Sequence, residues 1–420
     1  MLSDDALTPW RPLVDGDERA RALTVAREVC EEAAARWVDA SPHPTLLGQA
    51  AYALLFHYAW RAGIGDWRAQ SDACIERACA AVAGVGLGTS LFGGFPGIAW
   101  VIQHVSGAPP EEGDALEDVD QLLCEHVARA PFPGTSEELF GIGMYALERM
   151  PSPAARRMLE HIVARLAEMA DRFADGVAWT TRSEGRTVHS LGAAHGVPGI
   201  LAFLGGAAAW RIAGAEPLLA EGSAWLWNQR DPNAAIQFSY WLEDGRPANR
   251  RWPSWCTGDP GVAGAMLAAG GSSADRARAV ELGLRAIAWT PARCAALAGD
   301  ELLRWLGDPE LVPAWTGNPF LCHGAAGRLH IYVRMWQATG DERFARAARE
   351  WLAETLGLRR PGRRCAGFSR GLGDGMDWAE TGLVYGAAGV ALALLAAASS
   401  VEPRWDRLLM LSVARENPAA

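Results

Sequence analysis

The sequence predicts an all-α fold, an α/α toroid of about seven helical hairpins with short β-hairpin insertions at its rim. Two observations lead there. First, a step of small residues recurs and each time opens an apolar run: Gly48-Gln49-Ala50-Ala51, Gly94-Phe95-Pro96-Gly97, Gly141-Ile142-Gly143, Gly196-Val197-Pro198-Gly199, Gly258-Asp259-Pro260-Gly261, Gly324-Ala325-Ala326-Gly327 and Gly386-Ala387-Ala388-Gly389. Successive first glycines are 46, 47, 55, 62, 66 and 62 residues apart, room for two helices and their connections in each repeat. Second, segments of the opposite, amphipathic character alternate with these runs.

In chain order, amphipathic patterns occupy Asp17 to Trp37, Asp66 to Val82, Glu112 to Ala128, Pro153 to Ala170, Pro217 to Trp227, Ala274 to Trp289 and Asp341 to Leu356; that at Pro217 is the shortest. Between Pro153 and Ala170, for example, Leu159, Ile162, Val163, Leu166 and Met169 recur at three- and four-residue intervals, with Arg156, Glu160 and Arg165 outside the stripe. The runs after the glycine steps are Ala, Leu, Ile and Val on nearly every face, as in helices enclosed on all sides. Seven pairs, each an amphipathic helix followed by an apolar one, predict buried inner helices within an outer ring that has wet faces. A closed ring leaves no terminal repeat to be capped. Glycine admits the tight turns and close backbone approach needed where each inner helix starts. Two intervals, Gly176 to His189 and Phe238 to Trp252, read instead as extended segments around Glu-Gly and Asp-Gly turns, hairpins that shape the approach to the motif-bearing loops. Residues 1–420 are read as a single domain.

Half of the 420 residues are hydrophobic, enough for a large core, and the net charge of -10 excludes nucleic acid as a principal partner. Eight cysteines are scattered without the dense spacing of a disulfide-stapled secreted domain, so reduced thiols in a cytoplasm are expected. The first seven residues carry Asp4 and Asp5 where a signal peptide needs positive charge. The long apolar run from Gly382 to Ala398 is built of Ala and Gly around one turn-prone step and reads as a buried helix, not an integral membrane segment. Of the 19 tryptophans, Trp100, Trp255, Trp305, Trp315 and Trp378 are candidates to line a peptide-binding mouth, against the alternative that they fill core volume.

The chemistry concentrates in Ser254-Trp255-Cys256-Thr257-Gly258-Asp259-Pro260-Gly261 and Leu321-Cys322-His323-Gly324-Ala325-Ala326-Gly327. Cys256, Cys322 and His323 supply two thiolates and an imidazole, a set suited to zinc, and three protein ligands leave a fourth tetrahedral position open for a reacting group. Cys256 lies 66 residues before Cys322, so only a fold that joins distant loops assembles them. The same residues also read as two buried thiols and a hydrogen-bonded core histidine.

Trp-Cys-x-Gly-x-Pro-Gly at 255–261, Cys-His-Gly-x-x-Gly at 322–327 and Gly-Ala-Ala-His-Gly-Val-Pro-Gly at 192–199 together resemble the lanthionine synthetase C family of lanthipeptide cyclases. As a chain without a fused dehydratase or kinase part, it is similar to the stand-alone class I cyclases. The resemblance implies an α/α toroid with Zn2+ held by Cys256, Cys322 and His323. It implies that His195 is an acid/base group, and that peptide cysteines add to dehydroalanine or dehydrobutyrine to close thioether rings. The implied partners are a dehydrated ribosomal precursor peptide, with a dehydratase and a transporter in a modification complex. Arg251, five residues before Cys256, is the candidate to stabilise enolate charge. Two departures stand out: Gly134 falls where the family often has an acid, with Glu137 and Glu138 nearby, and Thr257 replaces a frequent tyrosine.

Other functions remain open at this point. A diverged enzyme could add an external thiol such as glutathione, and a scaffold could bind peptide without catalysis. Prenyl or terpenoid transfer also occurs on α/α toroids, although no Asp-rich diphosphate motif is present.

Overall fold

A computed structural model describes residues 9–82, 84, 86–111, 113–183, 185–248, 251–297, 317–369 and 378–412. Its helices in chain order are α1 (Gly16–Glu32), α2 (Gln49–Arg61), α3 (Arg68–Val82), α4 (Phe95–Ser106), α5 (Glu117–Ala128), α6 (Ser136–Glu148) and α7 (Pro153–Met169). There follow α8 (Val197–Ala209), α9 (Ala215–Asn228), α10 (Asp259–Ala269), α11 (Ser273–Ala286), the short α12 (Pro291–Leu297), α13 (Ala325–Thr339), α14 (Glu342–Gly357) and α15 (Ala387–Ala398). A π-helical turn, Ala33–Trp37, extends α1. The segment near Pro217, read as the weakest helix, is a full 14-residue helix, α9.

The even-numbered helices α2 to α10, with α13 and α15, form the inner ring. Each packs on the next, and α15 packs on α2, which closes the circle. Every residue of α10 and α15 is buried, as their all-round apolar composition requires. Outer helices pack on the inner helix that precedes them: α3 on α2, α7 on α6, α9 on α8, α11 on α10 and α14 on α13. The hairpin unit is therefore inner-then-outer, not the expected amphipathic-then-apolar pair, because the short connections follow the inner helices and force antiparallel neighbours. The first helix completes the last pair. α1 packs on α15, and Trp10 Nε1, Leu13 N and Arg19 Nε donate to the carbonyls of Ala396, Ala397 and Ala398 at 2.8, 2.7 and 2.8 Å.

The glycine steps have a steric cause. A β-carbon on Gly261 would stand 1.9 Å from the Trp255 carbonyl oxygen, and one on Gly327 1.9 Å from that of Leu321. The chain entering each inner helix folds back over its first turn, and a methyl group there would strike it. Six of the seven steps start a helix. The exception corrects the repeat assignment: Gly141 and Gly143 lie in the middle of α6, where Leu91 and Phe203 pack against them, and the helix starts at Thr135, whose side chain caps Glu138 N.

Among the described residues, six strands form two sheets. β1 (Asp171–Phe173) pairs with β2 (Gly176–Ala178), while β3 (Thr181–Ser183), β4 (Arg186–Ser190), β5 (Trp241–Glu243) and β6 (Arg246–Pro247) form one antiparallel sheet. The two expected hairpins are thus joined, with His189 opposite Leu242 and Ser190 opposite Trp241. Trp100 and Trp255 are buried core residues, not mouth residues, and Trp378 is partly buried against the core; Trp305 and Trp315 lie outside the described residues. No disulfide joins the eight cysteines. Among the described residues no helix is long and apolar enough to cross a membrane.

A C-terminal turn, Arg404–Leu409, fills the middle of the ring. Asp406 is fully buried against His330 and Arg334 of α13, and Trp405 N donates to Tyr58 Oη of α2 at 3.1 Å. Arg407 reaches Glu148 of α6 at 2.8 Å, and Glu148 also holds His104 Nδ1 of α4 at 2.7 Å. Burial opposes the Glu148 charge, but His104 and Arg407 outweigh it and bring its pKa from 4.5 down to about 2. A depressed carboxyl stabilises the fold above its unfolded pKa, and that contribution is lost as pH falls from 4.5 through about 2. Glu148→Gln is expected to lose about 2–3 kcal/mol of unfolding free energy at pH 7. The deficit should shrink as urea titrations move toward pH 3, and a deficit independent of pH would show that the carboxylate charge is not its source.

Candidate metal centre

All the loops that enter inner helices lie at one end of the ring, and hydrogen bonds tie several together. Leu383 N donates to Leu46 O at 3.0 Å, Cys322 N to Val384 O at 2.9 Å and Cys256 N to Cys322 O at 3.4 Å. Two loops far apart in sequence thereby meet through their backbones. Cys256 and Cys322 are buried and His323 is half-buried, and their ligand atoms all lie within 4.8 Å of one another.

Burial opposes ionisation of Cys256, but a hydrogen bond with Cys322, the charge and hydrogen bond of His323, and the Ser254 hydroxyl at 3.5 Å hold its thiol well below the usual range. Two sulfurs and an imidazole converge on one point with at least one sulfur set to be a thiolate, which is the donor chemistry that fits zinc. His323 stacks on Tyr385 with ring centroids 6.3 Å apart. Thr257 turns its hydroxyl back to Trp252 O at 3.3 Å, so the tyrosine beside the cluster comes from another loop.

His195 sits in the loop between β4 and α8, directly against the Cys256 loop: a β-carbon on Gly192 would lie 2.1 Å from Cys256 O. Its ring is 56% exposed, and Nδ1 meets Glu137 Oε1 at 2.7 Å. Burial pulls the imidazole pKa down, but the hydrogen bond and charge of Glu137, with the charge of Cys256, raise it above its ordinary value. Glu137 stands in the first turn of α6 and also accepts from Thr181 Oγ1 of β3 at 3.4 Å.

Gly134 carries no acid, and the carboxylate that the structure sets against His195 is that of Glu137. Glu138 is turned away, bonded to the Thr89 hydroxyl and to His126 Nε2. Arg251 stands five residues before Cys256. Its guanidinium donates to the Ile236 and Gln237 carbonyls at 2.8 and 3.0 Å and lies 3.6 Å from Asp231, which anchors that loop.

Arg328, one turn into α13 and buried, was not legible as a site residue. Its Nε donates to Pro253 O at 2.5 Å, and its guanidinium lies between Trp252 and Trp351, 5.4 and 4.7 Å from the rings. Trp252 Nε1 in turn donates to His323 O at 3.2 Å. Arg328 and Trp252 together clamp the Cys256 loop to the Cys322-His323 loop. A Gly-x-x-Gly-Arg run is too common a pattern to signal this.

Residues 46–410 match the family described as lanthionine synthetase C-like protein. No curated protein matches the sequence. Among solved structures, that of nisin cyclase superposes with a TM-score of 0.66 at 17% identity, covering 92% of this chain and 96% of that one, a likeness of fold.

Two measurements test this geometry. In an imidazole NMR titration, His195 should titrate above the ordinary histidine value and fall in Glu137→Gln; an unmoved midpoint would remove Glu137 as its partner. Arg328→Met should weaken zinc affinity about 10-fold or more in chelator competition while circular dichroism stays unchanged. Unaltered affinity would dissolve the clamp.

Proposed function

The chain belongs to the lanthionine synthetase C-like family, and from that premise we propose that it is a zinc-dependent lanthipeptide cyclase. Its substrate on this reading is a dehydrated ribosomal precursor peptide, and its product a peptide closed by lanthionine or methyllanthionine thioethers. One observation carries the reading: an acid-backed imidazole, His195 on Glu137, stands on the loop packed against that of Cys256, which with Cys322 and His323 forms a three-ligand cluster.

Cys256, Cys322 and His323 would hold the ion. Bound there, zinc would lower the pKa of an incoming peptide thiol, so that its thiolate is present near neutral pH. The remaining chemistry falls to the side chains. Ionised Glu137 only accepts hydrogen bonds, so the imidazole proton sits on Nδ1 and the Nε2 lone pair is left free. His195 Nε2 can then take the proton from the thiol. When sulfur bonds to the β-carbon of the dehydroamino acid, the alkene electron pair moves onto the α-carbon and its carbonyl. The protonated His195, stabilised by Glu137, returns the proton to the α-carbon, so no atom is gained or lost overall. Arg251 serves on this reading to stabilise enolate charge, from a loop it also ties to the Ile236 and Gln237 carbonyls.

The test pairs metal content with thiol loss. Wild type and Cys256→Ala are purified, their zinc is quantified, and each is incubated with dehydrated precursor while free thiols are counted. Cyclisation predicts one zinc per chain and disappearance of thiols without a mass change in wild type only. Zinc without thiol loss would point to a scaffold, and a mass gain from added glutathione to external-thiol transfer.

A further inference from the structure

At the end of the ring opposite the cluster, the last turns of α2 and α4 and the first turns of α3 enclose a cavity of about 580 Å3. Arg61 and Arg68 line it from two elements. Among the described residues neither guanidinium has a hydrogen-bond or ion-pair partner; each lies instead over an aromatic ring, Arg61 6.0 Å from Tyr58 and Arg68 5.4 Å from Trp60. Asp72 is one turn along α3 from Arg68, the spacing at which an arginine and a carboxylate usually pair, yet the two are not bridged. Two cations against one carboxylate leave the lining net positive in a chain whose formal charge is -10.

The rest of the wall is apolar or neutral. Trp60 is 39% exposed, one of few large hydrophobic side chains left open, and Ile75 and Ile102 form the floor. His57 is half-buried, and burial, His104 and Arg61 bring its pKa down to about 4, so it faces the cavity as a neutral donor and acceptor. On its α4 side the wall is tied down: His104 is held by Tyr58 Oη at 2.8 Å and Glu148 at 2.7 Å, and stacks on Trp100 at 4.4 Å. A preorganised lining lowers the entropy lost on binding.

We propose that this cavity binds a small organic anion, its carboxylate or phosphate held between Arg61 and Arg68 and its flat or apolar body laid against Trp60, Ile75 and Ile102. Two unpaired guanidinium forks match the geometry of such groups, and the volume is that of a small-molecule site. The site stands at the far end from the metal cluster and does not depend on the cyclase reading.

Calorimetric titration of phenyl phosphate and of benzoate into the full chain tests it. Saturable one-to-one binding is expected for at least one probe, weakened about 10-fold or more in Arg61→Ala and in Arg68→Ala and by replacing the probe with uncharged benzyl alcohol. Arg293→Ala, an exposed arginine over Trp289 at 4.3 Å, should bind as wild type. The better probe identifies the anionic group. No saturation up to about 10 mM, equal binding by all variants, or loss at only one of the two arginines would overturn the proposal. His57 imidazole resonances, followed in wild type, should shift on saturation; stationary signals would place the ligand elsewhere.

Discussion

A carbonyl oxygen resting where a side chain would otherwise begin is the constraint on which this structure depends. At Gly261 and Gly327 the entering loop lies so close over the first helical turn that a β-carbon would stand 1.9 Å from the oxygen. The loop therefore lies flat against its own helix, and its outer edge is free to meet the loop of the next repeat. Repetition of that contact puts the loops of several repeats into one hydrogen-bonded belt. Residues 66 positions apart become neighbours because each holds the same place in that belt.

The middle of the ring presents the opposite problem, since inner helices made of small apolar residues leave a space that charged groups occupy. Every one of the 39 basic residues is an arginine. Buried Arg149, between the inner helices and α5, shows what that side chain offers: its planar fork meets Asp120, Asp114 and Gln103 together, with distances from 2.6 to 3.2 Å. Arg334 does the same for Asp406 and Glu402, and the Arg404–Leu409 turn is fixed in the centre by these pairs. That turn continues to the cluster end, where Trp255 Nε1 donates to Leu409 O at 2.7 Å. Core electrostatics and the Cys256 and Cys322 loops are thus parts of one packed unit.

Much of this was legible in the sequence. The all-round apolar runs identified the inner helices, and the small-residue steps marked six of the seven starts, because both signals have a steric cause that acts locally. Cys256, Cys322 and His323 were legible because ligand chemistry is carried by residue type. What was hidden depended on contacts between repeats. The pairing of Glu137 with His195 spans 58 residues, and the packing of Gly143 against Phe203 is likewise visible only in three dimensions. Arg328 was hidden for the same reason, since its partners lie on the 252–253 loop and on α14. The bonds of Arg251 to the Ile236 and Gln237 carbonyls were hidden in the same way, because they span 15 and 14 residues.

The belt also explains why the site residues come from the places they do. Relative to the glycine that starts each inner helix, His195, Thr257, His323 and Tyr385 all stand one residue before it, and Ala194, Cys256, Cys322 and Val384 two before. The backbone bonds from Cys322 N to Val384 O and from Cys256 N to Cys322 O join residues of that second set directly. The same two positions recur in each loop, and each repeat fills them differently: thiol, imidazole, phenol, hydroxyl or a small apolar group. A substitution at either position changes chemistry without touching the glycine contact that sets the geometry. Thr257 shows the consequence, for the phenol that its position lacks is present two repeats later as Tyr385, stacked on His323.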